Sequence, residues 1–403
     1  MSLSNIDQMK SVKSIKDVKL DGKKVLIRVD FNVPMDEDLN ISDDIRIREA
    51  LPTINYCLDN GAKSVTLVSH LGRPKSEGDP KFTLKSVLKR VERLLQKDVV
   101  FIENLKVAKE KIDALKDGSV ALMENIRYYA GEEKNDESIS KQLADLCDVY
   151  VNDAFGTSHR AHSSTYGAAV YAKEKVAGLL LKKEIDSFAK ALDHPLKPML
   201  LIVGGAKVSG KLQLLKSILG VVDKLIIGGA MSNTFLKALG YDTRNSLVED
   251  DLIDEAKRIM EAAKESGVKI YLPVDVVCTD SIKDPKVIKI TTAQDIPEGM
   301  IVADIGPATT VLFREVVKEC QTIIWNGPMG VYEVDKFARG TFHLAHSISD
   351  AYSYSVVGGG DTADAVDRAG EKDNMSFIST GGGASLELLE GKVLPAFEVL
   401  EKN

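Results

Sequence analysis

Short β-branched runs alternate along this chain with longer amphipathic segments such as KFTLKSVLKRVERLLQ and EDDLIDEAKRIMEAAKESG. A strand followed by a helix of that length returns beside its neighbour in parallel, so the alternation restricts the fold to helix-flanked parallel sheets. The two halves end their runs differently. In the second half six runs reach glycine, LLIVGGAK, LIIGGAMS, IVADIGPAT, TIIWNGPMG, YSVVGGGDTA and FISTGGGAS, at Gly204, Gly228, Gly306, Gly327, Gly358 and Gly381. In the first half VLIRVDFN, TLVSHLGR, ALMENIRYY and VYVNDAFGTSHR finish on Asp30, Asn32, His70, Arg73, Arg127 and Arg160. Ligands of open parallel sheets sit outside the carboxyl ends of the strands. Glycine there lets main-chain N–H groups approach a polyphosphate, whereas Arg and His grip a small anion through charge-assisted hydrogen bonds. A nucleotide on one lobe and a small phosphorylated molecule on the other is the pattern expected of a phosphoryl transferase.

The 403 residues, 44% of them apolar, are enough for two cored domains. The segment AGLLLKKEIDSFAKALDHPLKP, residues 177–198, reads as an amphipathic helix closed by two prolines. It separates the arginine-ended runs from the glycine-ended ones. The expected architecture is therefore α/β, with two lobes, each a doubly wound parallel sheet flanked by helices, joined by a hinge helix. The expected boundaries are 1–177 for the first lobe, 178–193 for the helix and 194–391 for the second lobe; a single large sheet with a surface helix is the alternative. A net charge of −7 argues against nucleic acid or an anionic membrane as the main partner. Cys57, Cys147, Cys278 and Cys320 are scattered without a C-x-x-C pair, as in reduced packing thiols. The beginning has no apolar signal core, and no stretch reaches the apolar length of a transmembrane helix. A cytoplasmic protein is expected.

Three motifs invite other readings. GAKVSGK, from Gly205 to Lys211, spells G-x-x-x-x-G-K after a strand, but Leu212 stands where a P-loop needs Ser or Thr for Mg²⁺. With a helix starting near Val208, Lys207 lies at the loop tip and Lys211 one turn on, a pair suited to a polyphosphate. GGGDTA, from Gly358 to Ala363, matches the dinucleotide fingerprint G-x-G-x-x-A, yet the following run ends in Thr380 rather than the acidic residue that binds a ribose. Asp361 and Thr362 can instead supply a carboxylate for Mg²⁺ and a hydroxyl for phosphate, or Asp361 can cap the helix that follows. HRAH at His159 to His162 and HLAH at His343 to His346 have zinc-like spacing, but each offers two ligands where three or four are needed. The first pair suits support of a bound anion, the second an ordinary helix. Asp30 would repel an anion unless the substrate also carries a hydroxyl, with Asn32 as a second polar contact, which points to a polyol or hydroxy-acid phosphate.

RVDFNVP, SHLGRP, MENIRYY, NDAFGTSHRAHSS, GGAKVSGK, WNGPMGVYE, GGGDTA and STGGGASLELLEGK occur in this order from about Val25 to Pro395, and together they resemble the phosphoglycerate kinase family. The resemblance implies reversible Mg²⁺-dependent phosphoryl transfer between ATP and the carboxylate of 3-phosphoglycerate, giving 1,3-bisphosphoglycerate and ADP, by lobe closure and direct in-line transfer. It assigns Asp30, Phe31, Asn32, Arg46, His70, Leu71, Gly72, Arg73, Arg127 and Arg160 to phosphoglycerate. To the nucleotide it assigns Gly205, Lys207, Lys211, Gly228, Gly229, Asn326, Glu333, Gly359, Gly360, Asp361 and Thr362, with Glu333 on the ribose and Asp361 on the metal. Arg46 and Lys207 are expected to neutralise the transferring group, with backbone N–H groups from Gly381, Gly382 and Gly383. This is electrostatic catalysis without a covalent enzyme intermediate. The resemblance also implies a monomer with small-molecule partners and a return of residues 392–403 to the first lobe. Gly210, where relatives often carry a polar residue, and Ala308 depart from the family pattern. An NAD-dependent dehydrogenase built on GGGDTA and a non-catalytic anion-binding protein are the competing classes; NAD alone should protect the first against heat, and the second should not turn over ATP.

Overall fold

The computed structural model describes residues 10–401, which form two compact units, one of Ser187–Lys392 and the other of the chain up to Asp186 together with the segment from Val393 onward. In the N-terminal unit, β1 (Lys24–Arg28), β2 (Ser64–Val68), β3 (Val99–Ile102), β4 (Ser119–Met123), β5 (Val149–Asn152) and β6 (Lys175–Ala177) form one sheet in the order β3-β4-β2-β1-β5-β6. All its pairings are parallel. The four inner strands, β4, β2, β1 and β5, are buried along almost their whole length and mostly apolar, as a parallel sheet covered on both faces requires. On one face Val25, Ile27, Val65, Leu67, Val149 and Val151 pack against Ile47, Ala50 and Ile54 of the helix Ile45–Asp59 and Val87 and Val91 of the helix Lys85–Leu95.

The second unit contains β7 (Met199–Val203), β8 (Lys224–Ile227), β9 (Lys269–Tyr271), β10 (Asp275–Thr279), β11 (Ile288–Thr292), β12 (Ile301–Ile305), β13 (Thr322–Asn326), β14 (Tyr354–Gly358) and β15 (Phe377–Ile378). Its main sheet runs β15-β14-β13-β7-β8-β9, again parallel. Leu200, Ile202, Ile323, Trp325 and Val357 pack there against Phe313, Val316 and Val317 of the helix Pro307–Lys318. One expectation is corrected. The run IVADIG is not a strand of the parallel sheet: β12 pairs antiparallel with β10 in a separate three-stranded sheet, β11-β10-β12. An apolar run ending in glycine announces a strand but not its direction.

The helix Leu179–Leu192 carries the chain across the division between Asp186 and Ser187. Its first turn is held by N-terminal-unit residues: the Leu179 N–H donates to Thr53 Oγ1 (2.9 Å) and the Leu181 N–H to Asp153 Oδ1 (3.0 Å). The C-terminal helix Pro395–Glu401 belongs to the same unit, with Phe397 stacked on Phe155 at 6.0 Å and the Ala396 N–H bonded to Ser158 O at 3.2 Å. Cys57, Cys278 and Cys320 are buried, Cys147 is half-buried, and all four are free thiols. Among the described residues no helix is long and apolar enough to cross a membrane.

Complete burial pushes the Asp153 carboxyl up to about 7 from its ordinary 3.8, against the opposing pull of hydrogen bonds from Thr53, Leu181 and Leu180. The fold thus keeps a proton that the open chain releases, and this stabilising contribution is complete below the unfolded pKa and is lost as pH rises towards 7. Asp153→Asn keeps the acceptor oxygen for Leu181 but cannot ionise. Relative to the parent it is expected to gain stability between roughly pH 5 and pH 8, by about 4 kcal/mol at most. Thermal melts at both ends of that range check this, and an unchanged difference in melting temperature would refute it.

Candidate active site

Four neighbouring strands of the N-terminal sheet, β4, β2, β1 and β5, end side by side. The chain leaving them supplies Arg127, His70, Asp30 with Asn32, and Arg160 in turn. Arg46, from the first turn of the helix Ile45–Asp59, places Nη1 2.6 Å from Asp30 Oδ2. Asn32 Oδ1 accepts from the Gly72 N–H (2.7 Å), and Arg127 Nη1 donates to Gly72 O (2.8 Å), so the β2 loop is pinned from both sides. Arg160 Nε lies 3.1 Å from His159 Nε2, and Arg73 is exposed. Phe31 and Leu71, 0% and 2% exposed, are core residues, which limits their part in any site to the backbone.

His70 differs from the cationic grip expected of it. Arg28 Nη2 lies 3.2 Å from His70 Nδ1. A guanidinium has only donors, so Nδ1 must accept and the ring proton resides on Nε2. Burial holds the His70 pKa well below 6.5, and the charges of Arg28, Arg127 and Arg46 push it further down. The imidazole is neutral at pH 7, and its 3.9 Å approach to Asp30 is therefore not an ion pair. Burial likewise pushes His162 down to about 4, with Arg127 adding to the effect.

Sequence reasoning missed the support beneath this mouth. Arg28, 1% exposed at the end of β1, donates through Nε to Ser164 Oγ (2.7 Å), while Ser164 Oγ and N–H reach the two Glu132 oxygens at 2.5 and 2.9 Å. Burial raises the Glu132 pKa, and the Arg28 charge opposes the rise. The available signal was Arg28 itself, a charge inside the apolar run VLIRVD.

In the second unit, the loops after β7, β13 and β14 enclose a cleft of about 350 Å³ lined by Gly205, Lys207, Lys211, Asn326, Gly359, Gly360, Asp361 and Thr362, among others. The loops are stitched by their own backbones: the Gly204 N–H bonds Asn326 O (3.0 Å), Gly205 N–H bonds Pro328 O (2.9 Å) and Gly229 N–H bonds Met329 O (3.1 Å). Such close approach excludes side chains. At Gly327, with φ +103°, a Cβ would lie 2.3 Å from Gly204 O and 2.4 Å from Lys211 Nζ. Gly228 and Gly229 hold the loop layer behind the cleft rather than lining it, and Glu333 is exposed in the loop beyond β13.

The lysines are not on one helical face. The helix begins at Leu212, not near Val208, because the Lys211 N–H closes a turn onto Val208 O (2.8 Å). Lys211 Nζ donates to Gly204 O and Asn326 O, both at 2.6 Å, while Lys207 is exposed at the loop tip. Enclosure of the ammonium pushes its pKa down to about 7, with Asp361 opposing the shift. The helix Gly360–Arg368 has Gly359 as its N-cap, so Asp361 is not a capping residue; it stands exposed in the first turn. Thr362 Oγ1 accepts from the Gly327 N–H (2.7 Å), tying the β14 loop to the β13 loop. Gly382, with φ +50°, precedes the short helix Gly383–Leu389. His343 and His346 lie on the helix Arg339–Ser349, with His346 Nδ1 2.5 Å from Glu371 Oε1, and no cluster of metal-ligating side chains occurs among the described residues.

The sequence model described as phosphoglycerate kinase matches residues 15–392. The chain belongs to the phosphoglycerate kinase family. It is 68% identical to the phosphoglycerate kinase of Wolinella succinogenes and 62% to that of Helicobacter pylori, in each case over the full length of both chains. The solved phosphoglycerate kinase of Coxiella burnetii superposes with a TM-score of 0.89 at 41% identity, covering 97% of this chain and 99% of the other. The enzyme's reaction is accordingly ATP-dependent phosphoryl transfer with 3-phosphoglycerate.

Proposed function

We propose that the polar mouth of the N-terminal unit binds 3-phosphoglycerate, that the glycine-lined cleft of the second unit binds the nucleotide, and that closure of the units brings the two together for direct transfer. The observation that carries this reading is the segregation of chemistry: Arg73, Arg127 and Arg160 belong to one unit, and the stitched glycine loops with Lys207 and Lys211 to the other. The arginines neutralise the substrate phosphate, neutral His70 donates from Nε2, and Asp30 accepts from the hydroxyl beside Asn32. Arg46 and Lys207 neutralise the moving phosphoryl group, with N–H groups of Gly381 to Gly383 completing the donor set; Glu333 holds the ribose. In-line transfer needs donor and acceptor aligned with water excluded, hence the closure about the helix Leu179–Leu192.

The cleft also fits Mg²⁺ brought by the nucleotide. Asp361 is its one exposed carboxylate, and no ligand cluster stands ready to hold a free metal among the described residues. Mg²⁺ commonly takes one or two protein carboxylates and completes its shell with phosphate oxygens and water. Bound there, it would neutralise phosphate charge; Asp361 would hold it, and Lys211 and the loop N–H groups would orient the phosphates.

Calorimetry on two full-length variants separates the mouths. Arg73→Ala is expected to weaken 3-phosphoglycerate binding by about tenfold or more and leave MgADP binding unchanged, since a hydrogen bond to a charged group contributes about 1.5–3 kcal/mol. Lys211→Met is expected to do the reverse. Small-angle scattering of the parent should give a smaller radius of gyration with both ligands than with either alone. Equal losses for both ligands in each variant, or an active ternary mixture that scatters like the free protein, would overturn the reading.

A further inference from the structure

The loop between β7 and the helix Leu212–Ile218 carries Lys207 at its exposed tip, with Val208 buried beside it and both ends held by backbone bonds. Gly205 is bonded to Pro328 at one end and Lys211 to Gly204 and Asn326 at the other. The stretch between has a soft link at Gly210. A Cβ there would meet only Lys207 O, at an ordinary 3.8 Å, so neither crowding nor an unusual φ requires glycine.

The Glu249 side chain reaches this stretch from outside it. Glu249 lies between the helices Met231–Ala238 and Ile253–Glu265, 40 positions beyond Ser209. Its carboxylate accepts from both donors of that residue, the Ser209 N–H at 3.0 Å through Oε2 and the Ser209 hydroxyl at 2.5 Å through Oε1. Two bonds to one residue fix its direction as well as its distance. Glu249 is itself anchored, its N–H donating to Oγ1 of buried Thr234 at 3.1 Å. Burial alone would raise the Glu249 carboxyl, but the Ser209 bonds, a Val208 N–H and the charge of Lys207 outweigh it and leave the group below its ordinary range. The clamp is therefore ionised at neutral pH, two residues from the lysine at the loop tip.

We propose that Glu249 is a positioning residue of the phosphoryl transfer: by clamping Ser209 it sets the direction in which Lys207 approaches the transferring group. This rests on the role given above to Lys207. A lysine stem has four rotatable bonds and no directional fork, so its aim depends on the backbone that carries it. Small errors of placement at a reacting centre are costly, up to about 10²-fold for 1 Å. Nucleotide affinity rests on Lys211, which is held by its own bonds to Gly204 O and Asn326 O, and on the loops after β13 and β14, so the clamp on Ser209 acts on the chemical step rather than on binding.

The test is steady-state kinetics on the full-length enzyme with Glu249→Ala, Glu249→Gln, Lys207→Ala and the double variant Glu249→Ala/Lys207→Ala. Glu249→Ala is expected to lower kcat about tenfold with the KM for nucleotide within about twofold of the parent. Glu249→Gln can still accept from the Ser209 N–H and donate to its hydroxyl, and it is expected to recover most of kcat, which a purely electrostatic restraint on Lys207 would not allow. In the absence of Lys207 the clamp has nothing to aim, so the double variant should turn over no more slowly than Lys207→Ala. Parent-like kcat in Glu249→Ala, additive losses in the double variant, or a loss confined to KM would each overturn the proposal. Parent-like kcat in Lys207→Ala would instead sink the role of Lys207 itself. Ser209→Ala, which removes one of the two bonds at an exposed position, provides an independent variant and should lose about threefold in kcat.

Discussion

Arg46→Ala is expected to lower kcat by about 10²-fold or more, the scale of losing one preorganised charge donor, with little change in KM for 3-phosphoglycerate. Arg46 stands apart from the other basic residues of the mouth. Arg127, Arg160 and Arg73 come from loops at strand ends, whereas Arg46 projects from a helix and is held by Asp30 at 2.6 Å. A cation paired in this way is oriented before substrate arrives, so little reorganisation accompanies the reaction. Arg46→Lys keeps the charge but loses the rigid fork, and an intermediate kcat is expected. Kinetics in both directions, with circular dichroism as a check on folding, decide the matter. A rise in KM at unchanged kcat would make Arg46 a ground-state ligand and remove it from the catalytic step.

The second large effect is expected at Asp361. Asp361→Asn should reduce turnover by at least about two orders of magnitude, because a hard cation loses its one anionic protein ligand while the amide oxygen that replaces it is a weaker donor. The fold should scarcely notice. Asp361 is exposed, the N-cap is Gly359, and the remaining contribution is a favourable charge at a helix N-terminus, about 0.3–1 kcal/mol. The melting temperature should therefore fall by no more than a few degrees while activity collapses. Titration of MgADP, with ADP in excess chelator as the control, reads the metal directly: the parent should bind the magnesium complex more tightly than free ADP, and the variant should lose most of that preference. Identical magnesium dependence in the two proteins would exclude Asp361 as the metal ligand.

Much of the architecture was legible in the linear chain. Apolar runs punctuated by glycine or by long polar residues located the ends of the parallel strands, because a doubly covered strand is a nearly continuous apolar run and its ligand-facing end cannot be apolar. The same punctuation identified two mouths of different chemistry, and the ordered motifs named the family to which the comparisons assign the chain. Residue type also set what each mouth can recognise, since a bare glycine loop and a cluster of arginines suit different ligands.

Three-dimensional packing decided the rest. Whether IVADIG joined the parallel sheet depended on its partner, and β12 lies antiparallel to β10, a choice that no local pattern encodes. Histidine at position 70 reads as a cation in sequence, yet 3% exposure and three nearby guanidinium groups make it a neutral donor. Asp361 reads in sequence as a metal ligand with helix capping as the alternative, and capping falls away because the turn starts two residues earlier on Gly359. Lys207 and Lys211 read as a pair, but one is exposed and the other is enclosed between two carbonyls contributed by strands more than a hundred residues apart. Glu132 and Glu249 stand outside every motif, and Ser164 closes NDAFGTSHRAHSS without a legible role, since their partners are 32 to 40 positions away or more. Sequence thus determined which groups are available and roughly where along each sheet they emerge; protonation state, hydrogen-bond partner and direction of approach depend on burial and on distant chain segments, and only the folded chain decides them.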